Sequence, residues 1–378
     1  MADGGVEQGR LAPLRKRWKA VSAVTAALAA VAVTVPVVLA DSDGAPPCQA
    51  VPASTRALAG DPAAATRALD PGEDLSRLPA VRALFVERPC GDGGAVLGRV
   101  VDAGTRVEGR AHSLEQARSA YGVVRVLGRA GEPLPAGLTT AVAGLLSAYV
   151  VDQSLYFDID RDDERPAVTA EQAEAFDPRP GSFLAPGEAH AHFSYTGSSL
   201  TGSLRVGAVR ARTVWDPRVF AILYDAERAY FAHYLERLTD NGADPDRAPG
   251  GSDRSSTSWV DRDLGRFGDR LGALMGMRTE LVRNGTIPDV AEFDRAVRKH
   301  TRGAYLAADR RVTSRTPQGT IAARPVSGPV QGQLMDGRAQ LYAVLEKWAA
   351  TRGTPEARVV EMRRSIDKQY LQSFVYPD

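Results

Sequence analysis

The apolar and polar positions of this chain alternate mostly with a helical period. Leu114, Ala117, Tyr121, Val124 and Leu127 recur at spacings of three and four, and Ser113 with Gln116 forms a capping box ahead of them. A second helix opens at Pro135 and carries Leu138, Val142, Leu145, Leu146 and Tyr149. The strongest amphipathic segment follows Asp216-Pro217, a cap and a first-turn proline. Val219, Leu223, Ala226, Tyr230, Tyr234 and Leu238 form its stripe, which Phe220, Phe231 and Leu235 widen. Such breadth predicts a deeply buried helix.

Residues 241–258, rich in Gly, Pro, Asp and Ser, form a loop and a candidate division between two halves. Beyond it Val260, Leu264, Phe267, Leu271, Leu274 and Leu281 mark a helix that ends near Asn284-Gly285. Gly268, Gly272 and Gly276 share one face of it. Each costs about 0.5–1 kcal/mol relative to alanine, so the stripe predicts another helix in close contact. Asp289 and Glu292 fit a cap before Val290, Phe293 and Val297. After a second loop at 314–332, one helix carries Leu334, Leu341, Leu345 and Trp348 up to Gly353. The last carries Val359, Met362, Ile366, Tyr370 and Phe374. Residues 95–107 and 197–213 fit strand or helix equally. The expected body is mainly α, about seven helices over residues 111–378, as one unit or two sub-bundles.

The N-terminal pattern is different. Residues 20–40 carry no charge and follow Arg10, Arg15, Lys16, Arg17 and Lys19. As a helix, 21 residues extend about 31 Å at roughly 1.5 Å each, enough to cross a bilayer. The expectation is a cytoplasmic basic tail (1–19), a single transmembrane signal-anchor (20–40) in contact with the lipid bilayer, and an extracytoplasmic C-terminal part. The alternative is secretion after cleavage following Ala40, because Val38-Leu39-Ala40 ends in a small-residue pattern. Residues 41–110, rich in Ala, Pro, Gly and Asp as far as about residue 94, read as a stalk with short helical pieces, tied to the body by a disulfide.

Composition narrows the partners. The chain has 47 basic and 46 acidic residues. Removing the five basic and two acidic residues of the first forty leaves 42 against 44. That balance carries no electrostatic footprint for nucleic acid. Abundant arginine and alanine with little lysine fits a GC-rich bacterial genome. Cys48 and Cys90, both on the exported side, are expected to form one disulfide.

Candidate chemistry is sparse. His190 and His192, two apart in an extended segment, would present both imidazoles to one metal ion such as zinc, with His233 as third ligand or base and Asp158 nearby. The run Asp158, Asp160, Asp162, Asp163, Glu164 begins like a calcium loop. It lacks glycine at the sixth position and glutamate at the twelfth, which leaves at most weak, structural calcium. Asp240, Asn241, Asp244 and Asp246 form a second oxygen-rich loop of that kind. Ser365 and Lys368 have SxxK spacing, without the KTG such enzymes need. No HExxH, GxSxG, Walker A or CxxC motif occurs.

Two functions follow. The first is a membrane-anchored, non-catalytic binding or structural ectodomain of a bacterial cell envelope, partnered by another envelope or secreted protein. It requires an exposed apolar patch and no buried titratable cluster. The alternative is an extracytoplasmic hydrolase, possible metal included, that uses His190 and His192.

Overall fold

The computed structural model describes residues 47–106, 110–129, 133–154, 165–172, 185–193, 206–246, 256–330, 334 and 336–375. The first helices are α1 (Ala53–Leu58), α2 (Pro62–Leu69), α3 (Leu78–Ala83) and α4 (Gly93–Thr105). They are followed by α5 (Leu114–Leu127), α6 (Ala136–Ala148) and a 3₁₀ turn at Asp152–Ser154. A small antiparallel ribbon, β1 (Ala167–Thr169) and β2 (Ala189–Ala191), places Val168 opposite His190. Then come α7 (Val206–Ala211), α8 (Pro217–Arg237), α9 (Ser256–Arg283) and α10 (Val290–His300). The last are α11 (Gln318–Ile321), α12 (Arg338–Arg352) and α13 (Glu356–Val375).

Local chemistry explains several of these boundaries. The Ser113–Gln116 capping box is formed in both directions, with Ser113 Oγ accepting from Gln116 N–H and the Gln116 side chain accepting from Ser113 N–H. Asp216 accepts from the amides of Arg218 (2.8 Å) and Val219 (3.4 Å), and Pro217 fills the first position of α8. Asp289 caps α10 through Glu292 N–H, and Gly353 ends α12 in the left-handed conformation.

Helix α8 runs through the centre of the body, packed against α6, α10 and α12, and is buried on every side over Val219–Arg237 apart from Ile222. A helix so enclosed has to pair its charges. Glu227 takes Arg210 at 3.1 Å and Arg270 at 2.7 Å. Arg228 binds Asp225 and the carbonyl of Gly303, and lies over the rings of Tyr224 and Tyr305.

The glycine stripe on α9 has the expected consequence at two positions. A methyl on Gly268 would overlap the carbonyl of Ile366, and one on Gly272 that of Tyr370. Both carbonyls belong to α13, which therefore lies backbone to backbone on α9.

No helix among the described residues is long and apolar enough to cross a membrane. Residues 20–40 themselves lie outside those described. The 21-residue α8 and 28-residue α9 have the length, but charged residues recur along both. The transmembrane anchor is withdrawn, and with it the bilayer as partner and the single-pass topology that rested on it. Residues 48–105 are not a stalk: Val51, just ahead of α1, and Leu69, Val81, Val96, Leu97 and Val101 of α2–α4 join the same core that holds Leu145, Phe231, Leu271 and Ile366. Helices therefore exceed the seven expected, and Cys48–Asp378 forms one compact unit. Composition misled because small alanines and glycines suit close helix contact as well as they suit a loose tether.

The Cys48–Cys90 disulfide is formed, with Cα atoms 5.1 Å apart. It is reinforced by Gln49 N–H to Arg88 O (2.8 Å) and Cys90 N–H to Gln49 O (2.9 Å). Such a bond belongs to an oxidising compartment.

Candidate active site

Where α6 runs out, the chain places Tyr149, then Asp152 in the 3₁₀ turn, inside the core. The backbone just before α5 adds His112, the ribbon adds Glu188 and His190, and the first residue of α11 adds Gln318. All six side chains belong to fully buried residues.

Two histidine–carboxylate pairs result. His190 Nδ1 is held by Asp152 Oδ1, and His112 Nδ1 by Glu188 Oε1 at 3.2 Å. Asp152 Oδ2 also accepts from Ala191 N–H (2.8 Å) and Gln318 Nε2 (3.0 Å). Glu188 accepts from Gln318 N–H (3.1 and 3.2 Å) and from Ala185 N–H (3.2 Å). Gln318 thus clamps both carboxylates, one with its backbone and one with its side chain. A buried carboxylate is tolerated only when its lone pairs are filled, and here donors from the ribbon, from Ala185 ahead of it, from His112 before α5 and from α11 share the task.

Each carboxylate accepts at Nδ1, which fixes the imidazole and directs Nε2 away from it. The His112 ring stacks on Tyr149, with centroids 4.1 Å apart, and among the described residues its Nε2 meets no hydrogen-bond partner. Tyr149 is anchored by donation to Thr105 O (2.9 Å) and closed at its edge by Phe193. Burial, followed by the charges of Asp152 and Glu188, pushes the Tyr149 hydroxyl well above its ordinary range. It stays a neutral donor.

The proposed metal ligands are dispersed. His192 Nδ1 donates to Arg165 O at 2.7 Å, and burial lowers its ring to about 4 although that bond opposes the shift. His233 sits on α8 beside Glu236 (3.3 Å). Burial alone would raise the Glu236 carboxyl, but His233 and Arg324 hold it below the usual range. No group of three or more His, Cys, Asp or Glu among the described residues could hold a metal ion, so His190, His192 and His233 do not form one ligand set. Asp158 and the rest of the 158–164 run lie outside the described residues. In the other acidic loop Asp240 pairs with Arg352 (2.5 Å) and Asp246 with Arg237 (2.6 Å), so arginines occupy the carboxylates offered to calcium. Ser365 donates to Glu361 O of its own helix.

Asp152, Glu188, His112 and Gln318 are the residues missed from sequence. One signal was available: Glu188-Ala-His190-Ala-His192 alternates with period two, which sets a carboxylate on the same strand face as the two imidazoles. No local pattern announces the others.

The chain matches no protein-family model, no curated protein and no solved structure. The site has to be read from its own geometry.

Proposed function

We propose that this chain is a hydrolase whose working groups are His190 with Asp152 and His112 with Glu188. The observation that carries this reading is that two imidazoles are each fixed at Nδ1 by a carboxylate, with one glutamine joining the pairs. In that arrangement one Nε2 takes a proton from water as it attacks, and the other returns a proton to the leaving group. The carboxylates set the tautomers and stabilise the imidazolium formed in passing.

The earlier expectation of a non-catalytic, membrane-anchored ectodomain is overturned on both its supports. It required a membrane helix, and none is present among the described residues. It also required an exposed apolar patch without a buried titratable cluster. Among the described residues the exposed large apolar side chains are Leu306, Val360 and Leu371, while the cluster is present. The disulfide supports an oxidising compartment as the place of work.

His190 is fully enclosed, so the reading requires the ribbon to open. The test is a panel of ester, amide, phosphomonoester and glycoside substrates, with amide exchange followed at Ala189 and Ala191. Hydrolysis of one class, lost by about 10²-fold or more in His190→Gln and His112→Gln folded variants, is the expected result. No hydrolysis of any class, or unchanged turnover in both variants, overturns it. So would ribbon amides that exchange only on global unfolding.

A further inference from the structure

A second feature shares no residue with the buried cluster. A solvent-open cavity of about 880 Å³ is enclosed by α4, α6 and α11, with contributions from Ile222 and Arg302. Its size falls within the roughly 300–1,000 Å³ of small-molecule sites.

The helical period of α4 explains the wall. Val96, Leu97, Val100 and Val101 face the core, which turns Arg99, Asp102, Ala103 and Arg106 together toward the cavity. From the opposite wall Gly144, Ser147 and Ala148 repeat the same spacing on α6. Because the surrounding residues are small, guanidinium groups dominate the charge. Arg99, Arg106 and Arg302 stand against the single carboxylate of Asp102, an excess of two positive charges.

Two of these arginines are held in place. Arg106 pairs with Asp102 at 2.7 Å one turn earlier on α4. Its guanidinium lies directly on α6 at Gly144, where a methyl would come within 2.5 Å of Nη1 and 3.1 Å of Cζ. Arg302 donates through Nη1 to Ala322 O (2.9 Å) and lies over the Tyr305 ring. Held guanidinium forks recognise carboxylate and phosphate oxygens in pairs, with less entropy lost than for a free side chain. Asp102 is a weakened competitor, since burial raises its carboxyl against the opposing pull of Arg106. Of the remaining wall, Ala103, Ala148, Ile222 and Ala323 are apolar, while Ser147 and Thr320 add two hydroxyl groups.

We infer that this cavity binds a small organic dianion, its phosphate or dicarboxylate head on Arg99, Arg106 and Arg302 and its apolar body against Ile222 and the alanines. This site stands independently of the hydrolase reading, because none of its residues belongs to the histidine–carboxylate cluster.

The experiment is titration calorimetry on the full chain with phenyl phosphate, phthalate, inorganic phosphate and, as the uncharged probe, benzyl alcohol. Phenyl phosphate or phthalate is expected to bind more tightly than inorganic phosphate, and the better of the two identifies the head group. Benzyl alcohol should give no heat of binding. Arg99→Gln and Arg106→Gln should each weaken the bound dianion by about tenfold, roughly 1.4 kcal/mol. Gly144→Ala, which displaces the Arg106 guanidinium without removing it, should do likewise. Melting temperatures of the three variants confirm that each is folded. Absence of binding by either organic dianion at about 10 mM, a range where even weak sites fill, overturns the inference. Equal affinity for inorganic phosphate overturns the organic body, and affinity unchanged in both arginine variants overturns the site.

Discussion

Asp152 offers the sharpest test of the buried cluster, because two substitutions at one position separate its roles. Its carboxylate receives three buried donors: His190 Nδ1–H on one oxygen, and Ala191 N–H and Gln318 Nε2–H on the other. In Asp152→Ala all three lose their acceptor. At about 1–3 kcal/mol for each buried unsatisfied group, the loss is at least about 3 kcal/mol. In Asp152→Asn the amide oxygen can keep Ala191 and Gln318 while the NH₂ group turns to His190. The histidine must then accept at Nδ1 and carry its proton on Nε2. A charge-assisted bond worth about 1.5–3 kcal/mol becomes a neutral one worth about 0.5–1.5, a net loss of about 1 kcal/mol. Equilibrium urea unfolding should therefore rank wild type above Asp152→Asn, with Asp152→Ala about 2 kcal/mol lower still. Nitrogen-15 NMR of His190 should report the reversed tautomer in the asparagine variant, and hydrolysis should fall with it. If Asp152→Ala unfolds within about 1 kcal/mol of wild type, or both variants lose the same stability, the closed network is not what holds the ribbon.

Two further outcomes follow from the packing and the titration. Gly268→Ala should lower stability by roughly 1–2 kcal/mol, because overpacking costs about 1–3 kcal/mol and outweighs the 0.5–1 kcal/mol that alanine returns to a helix. Gly60→Ala, with nothing near the added methyl, is the control, and a Gly268→Ala protein that melts with or above wild type would separate α13 from α9. His192, lowered to about 4 by burial, binds its proton less readily folded than unfolded, where it titrates near about 6.5. Between those values the unfolded chain holds more protons, so stability rises with pH across that window and is lost on acidification, by about 1–3 kcal/mol. Urea midpoints measured from pH 4 to 7 for wild type and His192→Gln check this. The same slope in both would show that another group is responsible.

Much of the helical framework was legible in the chain itself. The Ser113–Gln116 box, the Asp216-Pro217 start and the Gly353 stop act within a few residues, so their signals survive without tertiary context. The breadth of the α8 stripe foretold its burial, and the α9 glycines foretold a close neighbour, though not that the neighbour is α13. Residues 48–105 were misread because a short helix rich in alanine shows little periodic contrast, and only its neighbours reveal which face is covered.

The candidate site was legible only in part. His190 was visible through its spacing from His192, but spacing along a strand shows which side chains share a face, not what that face meets. The partners come from the turn after α6, the approach to α5 and a four-residue helix inside an apparent loop. Asp152 and Gln318 stand 166 positions apart, and Glu188 and Gln318 stand 130 apart. A local pattern determines a helix because its hydrogen bonds close over four residues. A buried carboxylate accepts donors from anywhere the fold delivers them, so the tertiary structure alone decided that this cluster exists.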